Sequence, residues 1–144
     1  MVSMRLTADL SEDRRTHVEG RLRANLMAWL TTVRPNGQPV SVPVWFLLRD
    51  DETILMYSQN AKVKLKNIRE NPRVALGLDV TDIGRDIIRI EGTATHSPET
   101  PPADQVPEYV TKYAERIGAM FGSSANFAEL FSEPLIITPH HLYA

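Results

Sequence analysis

Three lysines crowd the segment 61–66, which reads AKVKLK. Lys62, Lys64 and Lys66 fall at the start of a predicted helix, where unpaired N–H groups already carry a partial positive charge. Each lysine should cost about 0.3 kcal/mol of helix stability there unless an anion lies nearby. Two interpretations remain open: the lysines are simply solvated, or the helix start binds an anion such as a phosphate.

Helical spacing directs the three lysines to different sides of the predicted helix. The predicted buried stripe of this helix consists of Ala61, Leu65 and Ile68. Lys62 and Lys64 flank the stripe on opposite edges, whereas Lys66 points away and is expected to be solvated. A phosphate at the helix start would find free N–H groups, two ammonium groups and the hydroxyl of Ser58.

The rest of the chain predicts a small antiparallel β protein that positions this helix. Period-two and helical apolar patterns predict strands at 26–33, 39–48, 53–58, 73–80, 85–97 and 134–144, and helices at 9–24, 61–69 and 103–121. The Pro-Asn-Gly turn signal at 35–37 indicates a hairpin, and the third strand should extend it to a three-stranded meander. The predicted fold is mainly β: a single domain over 1–144, with a six-stranded antiparallel sheet curled into a barrel and helices outside.

Composition excludes several classes of function. A net charge of −2 without a long basic run disfavours nucleic-acid binding. We find no apolar run long enough to span a membrane and no secretory signal, so a cytoplasmic protein without membrane attachment is expected. The absence of cysteine excludes disulfides, thiolate nucleophiles and cysteine-ligated metals.

Other polar groups do not form a recognisable site. His140 and His141 are neighbours on a predicted strand, so their side chains point to opposite faces and no metal site is expected. The paired acids Asp50 and Asp51 lie in a predicted turn, where a solvated role suits them. No catalytic side chain is predicted.

The run at 39–48 is apolar on both faces. Val40, Val42, Val44, Phe46 and Leu48 share one face, while the other includes Trp45 and Leu47. One small core does not need this much apolar surface, so a homodimer is expected to cover part of it.

The segments LTTVRPNGQPVSVPVWFLL, ILMYSQNAKVKLKNIRENPRVALGL and IRIEGTA together resemble the pyridoxamine 5'-phosphate oxidase-like split β-barrel family. The resemblance covers residues 22–97, with the last strand in register, and is strongest to short members that use the deazaflavin coenzyme F420. It implies a homodimer that binds a flavin-like cofactor at the subunit interface. The cofactor phosphate is then expected on the lysine-rich segment after the third strand.

The resemblance assigns cofactor-binding roles to particular residues. Lys64 matches the basic position most used for phosphate, and Lys62 matches a second one seen in deazaflavin-using members. Ser58 and Asn67 lie alongside them. The first and second strands are expected to contribute Thr31, Thr32, Pro43, Val44 and Trp45, the last three through the backbone that meets the ring.

Departures from the family pattern favour one cofactor. FMN-binding oxidases of the family carry an Arg and a Lys where this chain has Val42 and Leu47. The chain also ends just after the last predicted strand, without the extension that binds substrate in true pyridoxamine phosphate oxidases. We therefore expect an F420-dependent oxidoreductase acting on a small organic substrate. An FMN-dependent oxidoreductase and a non-catalytic flavin-binding or F420-binding protein remain open.

Overall fold

The computed structural model describes residues 4–80 and 83–144. These residues form one curled antiparallel sheet of seven strands with four α-helices around it, which confirms the predicted fold class with seven strands in place of six. The strands are β1 (Ala28–Val33), β2 (Pro39–Val44), β3 (Leu47–Leu48), β4 (Ile54–Ser58), β5 (Arg73–Leu78), β6 (Arg89–His96) and β7 (Glu133–Tyr143). The helices are α1 (Glu12–Ala24), α2 (Val63–Glu70), α3 (Pro107–Phe121) and α4 (Ser124–Leu130).

The predicted strand at 39–48 is divided into two. β2 pairs with β1, whereas β3 pairs with β4 at the other edge of the sheet, whose order is β2-β1-β5-β6-β7-β4-β3. The predicted meander is wrong in this respect, because only Leu47 and Leu48 lie beside β4. Trp45 and Phe46 link the two edges. Three residue steps span at most about 10 Å, so the edges lie close together, as in a split barrel.

Side chains of α3 satisfy backbone groups at this break. The hydroxyl of Tyr113 accepts the Phe46 N–H at 2.8 Å and donates to the carbonyl of Leu26 at 2.8 Å. The ammonium of Lys112 donates to the Phe46 carbonyl at 2.7 Å. A buried amide without such a partner costs about 1–3 kcal/mol, so α3 stabilises the interruption.

Two apolar clusters lie on opposite sides of β4. Ile54 and Met56 belong to the cluster inside the barrel, whereas Leu55 and Tyr57 belong to a second cluster beneath α3 and α4. Trp45 and Leu47 pack against the second cluster. The chain's own helices thus supply part of the cover that was expected from a partner subunit, and both side chains remain partly exposed.

The predicted helices are present with shifted limits. Ala61 has a φ of 60°, in the left-handed region, so α2 begins at Val63 and Ala61 is exposed rather than part of the buried stripe. Asn67 is buried in α2 instead. The predicted helix at 103–121 corresponds to α3, which buries Tyr113 and Ile117, whereas α4 was not predicted.

Asp86 ties the loop before β6 to α1. Its carboxylate forms ion pairs with Arg14 at 2.8 Å and Arg21 at 3.0 Å, and it also contacts the ring of His17. The hydrogen bond with His17, together with those from Arg14 and Arg21, holds the pKa of Asp86 well below its usual range. The backbone of Asp86 is left-handed, with a φ of 57°.

We expect Asp86→Asn to lower the free energy of unfolding by about 1 kcal/mol at pH 7, because these contacts are partly solvated. Asparagine tolerates the left-handed backbone, so the substitution tests the charge alone. A depressed carboxyl pKa stabilises the fold above the unfolded pKa of about 3.9, and this contribution is lost as the pH falls further. Denaturant titrations at pH 7 and pH 3 should therefore show a smaller difference between wild type and variant at pH 3. An equal difference at both values would contradict this account.

Candidate functional site

A cavity of about 370 Å³ lies between the end of β2, the start of α2 and the helices α3 and α4. Its walls are mostly aromatic or aliphatic. Of the residues that line it, Lys64 alone carries a charge at neutral pH. The lining residues are Met27, Pro43, Val44, Trp45, Tyr57, Lys64, Tyr109, Met120, Phe121, Phe127 and Phe131.

Lys64 is a half-buried cation in the first turn of α2. Burial, and secondarily the charge of Lys62, lower the pKa of Lys64 below its usual value. Within residues 4–80 and 83–144 its ammonium has neither a hydrogen-bond acceptor nor a carboxylate partner. A cation desolvated in this way without compensation is stabilised by any anion that binds beside it.

The start of α2 leaves polar backbone groups available. Lys62 occupies the capping position, and no side chain caps the helix there. The first N–H groups of an α-helix have no intrahelical acceptor, and they favour an anion. Lys62 is exposed near this end but does not line the cavity, and Lys66 is exposed, as predicted.

Asn67 and Thr32 form a buried pair that fixes α2 to β1. The Asn67 amide donates to the Thr32 hydroxyl at 3.0 Å, and Asn67 is 1% exposed. Ser58, at the end of β4, is also buried and donates to the carbonyl of Gln59 at 2.8 Å. These three predicted site residues therefore have their polar groups already engaged, and the contact between Asn67 and Thr32 positions the helix that carries Lys64.

Thr31 lies on the opposite face of β1. Its hydroxyl is 2.7 Å from that of Ser41, and it lines a separate groove of about 690 Å³ on the outside of the sheet. Neither Thr31 nor Thr32 lines the aromatic cavity, and Thr31 pairs with Ser41, two residues before Pro43 on the same face of β2. The structure thus separates Thr31 from Lys64.

Pro43, Val44 and Trp45 line the cavity where β2 ends. The indole ring of Trp45 is stacked between Tyr113, at 4.6 Å between ring centroids, and Phe127, at 5.5 Å. Phe121 adds an edge contact at 6.3 Å, so the indole ring is already engaged in packing. The contribution of this segment to a ligand site comes from its backbone and from the edges of its side chains.

The comparisons with known proteins agree with this architecture. The profile of the family described as pyridoxamine 5'-phosphate oxidase matches residues 15–134. This chain belongs to the pyridoxamine 5'-phosphate oxidase family. No curated protein matches significantly.

Solved structures share the fold of this pyridoxamine 5'-phosphate oxidase family member at low identity. An F420 reductase is 22% identical with a TM-score of 0.65, covering 87% of this chain and 94% of its own. A Listeria innocua protein assigned to the pyridoxamine 5'-phosphate oxidases is 19% identical with a TM-score of 0.65, covering 89% and 94%. HutZ, the heme storage protein of Vibrio cholerae, is 14% identical with a TM-score of 0.66, covering 90% and 92%. At these identities the likeness shows the fold alone.

Sequence reasoning missed the aromatic walls of the cavity in this family member. Tyr109 lies within the predicted helix at 103–121, to which no site residue was assigned. Phe127 and Phe131 lie in and after α4, a segment to which no element was assigned. The aromatic side chains at 121, 127 and 131 were the available signal, but their spacing does not fit one helix face.

Histidines do not add a metal site in the described parts of the chain. His141 is paired with Glu91 and Gly92 with Pro139, so His140 lies at a β-bulge. No group of three or more potential metal-ligating side chains comes together within residues 4–80 and 83–144. None of the helices described has the length and apolar character needed to cross a bilayer.

Proposed function

We propose that this protein is an F420-dependent reductase that transfers a hydride between the deazaflavin and a small organic substrate. The observation that carries the proposal is Lys64, a half-buried cation that lines an aromatic cavity and has no anionic partner in the described residues. Lys64, the free N–H groups at the start of α2 and, as a second cation, Lys62 would hold the cofactor phosphate. The backbone of residues 43–45 would hold its ring.

The chain's own residues orient the cofactor in this proposal, and the deazaflavin when bound supplies the hydride chemistry. Thr32 and Asn67 hold α2 in place, so that Lys64 lies at a fixed distance from the end of β2. The apolar walls of the cavity exclude water from the reacting ring. No proton-transferring side chain is required for the transfer itself.

The choice of F420 over FMN is supported by two apolar positions. Val42 packs against the barrel cluster and Leu47 against the cluster beneath α3 and α4. These positions carry cations in FMN-binding relatives, so FMN lacks two charge-assisted phosphate contacts here. We expect F420 to bind at least about tenfold more tightly than FMN. Fluorescence titration of the purified protein with each cofactor tests this, and an equal or lower dissociation constant for FMN would favour the FMN-dependent alternative.

A second candidate function is cofactor binding without turnover. It is compatible with the lining of the cavity, which includes no acidic or histidine side chain. It also fits the fold's use in a heme storage protein. Single-turnover oxidation of bound, reduced F420 by a panel of organic acceptors separates the two functions. Tight binding with no oxidation above the protein-free rate would favour the binding protein.

We also propose that the protein is a homodimer whose interface includes the outer face of β1 and β2. Trp29 is 45% exposed and pairs across the strands with Pro43, which is exposed as well, on the outer face of β1 and β2. Aromatic residues are enriched in protein interfaces relative to the rest of the surface. Light scattering should therefore give about twice the monomer mass of 16.2 kDa.

Trp29→Glu should shift this equilibrium towards monomers. The matched control is Ile87→Glu, which changes another exposed apolar residue, 57% exposed in the loop before β6. A stable wild-type monomer at micromolar concentration would contradict the dimer and count against a cofactor site at its interface.

A further inference from the structure

The peptide group of Phe46 lies at the break between β2 and β3, outside the pairing of either strand. The register of β2 with β1 ends at Val44, and that of β3 with β4 begins at Leu47. Phe46 itself is fully buried. Its N–H and carbonyl groups therefore depend on side chains for their hydrogen bonds, and the side chains that provide these bonds belong to α3.

One hydroxyl proton cannot serve both carbonyl groups beside Tyr113. The Tyr113 hydroxyl oxygen accepts the Phe46 N–H, and it lies 2.8 Å from the Leu26 carbonyl oxygen and 3.0 Å from that of Phe46. A hydroxyl has a single proton to donate. The ammonium of Lys112, 2.7 Å from the Phe46 carbonyl oxygen, is the second donor that this arrangement requires. Without it, the carbonyl of either Leu26 or Phe46 would lose its donor.

The ammonium of Lys112 holds Phe46 through its charge as well. It lies 4.0 Å from the centre of the Phe46 ring, within the range of a cation–π contact. A hydrogen bond from an ammonium is roughly twice as strong as one from a neutral amine. Both contacts therefore weaken when Lys112 loses its proton, although a neutral amine still donates an N–H to the carbonyl.

We propose that the charge of Lys112 positions the segment 43–45 for the cofactor ring, so that neutralising Lys112 weakens ring binding. This inference rests on the proposed function, because that segment lines the cavity in which the ring would lie. Phe46 follows the segment directly, so a displaced Phe46 carbonyl moves the backbone that meets the ring. A protein that holds its binding conformation only part of the time binds its ligand more weakly in proportion. Lys112 does not line the cavity and acts as a positioning residue.

The charged groups around Lys112 do not pair with it. Arg23, Asp50 and Glu108 line the groove beside it and are exposed, and neither carboxylate forms an ion pair with the ammonium. Burial lowers the pKa of Lys112 to about 8, so its charge is mostly present at pH 7 and mostly lost at pH 9. Burial raises the pKa of Tyr113 well above its usual value, so the hydroxyl stays protonated over this range.

Stability and ring binding should respond to this titration in opposite directions. Between pH 8 and the usual lysine pKa of about 10.4, the unfolded chain binds a proton that Lys112 has released in the folded state. The contribution of Lys112 to stability therefore rises with pH, because the cost of burying its charge disappears. Ring binding should fall as the same charge is lost. A purely structural role for Lys112 would not lower affinity while stability rises.

The affinity for F420 at pH 7 and pH 9 tests the proposal, with Lys112→Arg as the variant that keeps its charge at both values. We expect the affinity of the wild type to fall over this interval by about five- to tenfold more than that of Lys112→Arg. Titration of the cofactor or of Lys64 is common to both proteins and cancels in the comparison. An equal pH dependence in the two proteins would overturn the proposal.

A deazaflavin that lacks the phosphate separates an effect on the ring from an effect on the phosphate. At pH 7, Lys112→Met should weaken the binding of this compound and of F420 by the same factor, about five- to tenfold. Lys66→Met, the matched control in the exposed part of α2, should change neither. Lys64→Ala should weaken F420 binding alone. A loss confined to F420 in Lys112→Met would contradict a role in positioning the ring.

Trp45 reports on the segment without any cofactor. In a Trp29→Phe background it is the remaining tryptophan of the chain, and its fluorescence should change with a midpoint near pH 8 that Lys112→Arg removes. This transition without F420 binding would support the positioning of the segment by Lys112 and contradict the reductase. F420 binding without the transition would support the reductase and overturn the role of Lys112.

Discussion

Gly92→Ala should destabilise this protein by about 3 kcal/mol, which corresponds to a fall in melting temperature on the order of 6–12 °C. Gly92 lies in β6 opposite Pro139, at the register shift in its pairing with β7. A Cβ atom at this position would lie only 2.3 Å from the Thr138 carbonyl oxygen and 3.0 Å from the Pro139 Cα. Both neighbours are backbone atoms of a paired strand, so β6 and β7 must separate to accommodate a methyl group.

Gly77→Ala is the matched control for this prediction. Gly77 lies in β5, also within the sheet, and an added Cβ atom would meet no other atom within 4 Å. Alanine loses less backbone entropy than glycine on folding, so this variant should be neutral or more stable by about 0.5–1 kcal/mol. Thermal and denaturant unfolding of the two variants should give opposite signs. Equal destabilisation of the two variants would mean that the cost of alanine at position 92 does not come from the close approach of the β6 and β7 backbones.

The inward face of the second predicted strand could be read from the sequence even though that strand is broken. Val44, Phe46 and Leu48 are all buried in the barrel cluster, as their alternation predicted. A period of two specifies which side chains point inward, and it does not specify the strand with which each residue pairs. The break depends on a hydrogen bond between Phe46 and Tyr113, 67 residues apart, for which no local pattern exists.

The candidate site, like the second strand, could be predicted in part from the sequence. Lys64, Pro43, Val44 and Trp45, assigned by resemblance to the family, line one cavity in the structure. Thr31 does not, because it lies beside Ser41, farther along the strands than Pro43, and lines a separate groove. The burial of the Tyr109 hydroxyl without a hydrogen-bond partner in residues 4–80 and 83–144 depends on three-dimensional packing, since in the sequence this residue is indistinguishable from the apolar positions of α3.

The fold links the stability of the barrel to the position of the site. Leu65 and Ile68 of α2 are buried in the barrel cluster, while Lys64, between them and the helix start, lines the aromatic cavity. The same short helix thus packs two apolar side chains into the barrel cluster and places the Lys64 side chain at the wall of the aromatic cavity. A substitution at Lys64 can therefore change ligand affinity without removing the contacts that hold α2.

We expect Lys64→Ala to weaken F420 binding by about 1.5–3 kcal/mol, since it removes a charge-assisted contact to the cofactor phosphate. In dissociation constants this corresponds to a loss of about 10- to 150-fold. Lys66→Ala is the matched control, because Lys66 lies in the same helix, carries the same charge and is exposed. It should change the affinity little.

The cofactor-free stability of Lys64→Ala distinguishes a binding role from a structural one. An uncompensated cation in the first turn opposes the helix dipole, and burial already lowers the pKa of Lys64. Its removal should therefore leave the melting temperature unchanged or raise it by an amount equivalent to about 0.3 kcal/mol. Isothermal titration with F420 and thermal unfolding of both variants measure the two effects. Small, equal losses of affinity at positions 64 and 66 would mean that all three lysines are solvated and that the phosphate binds elsewhere.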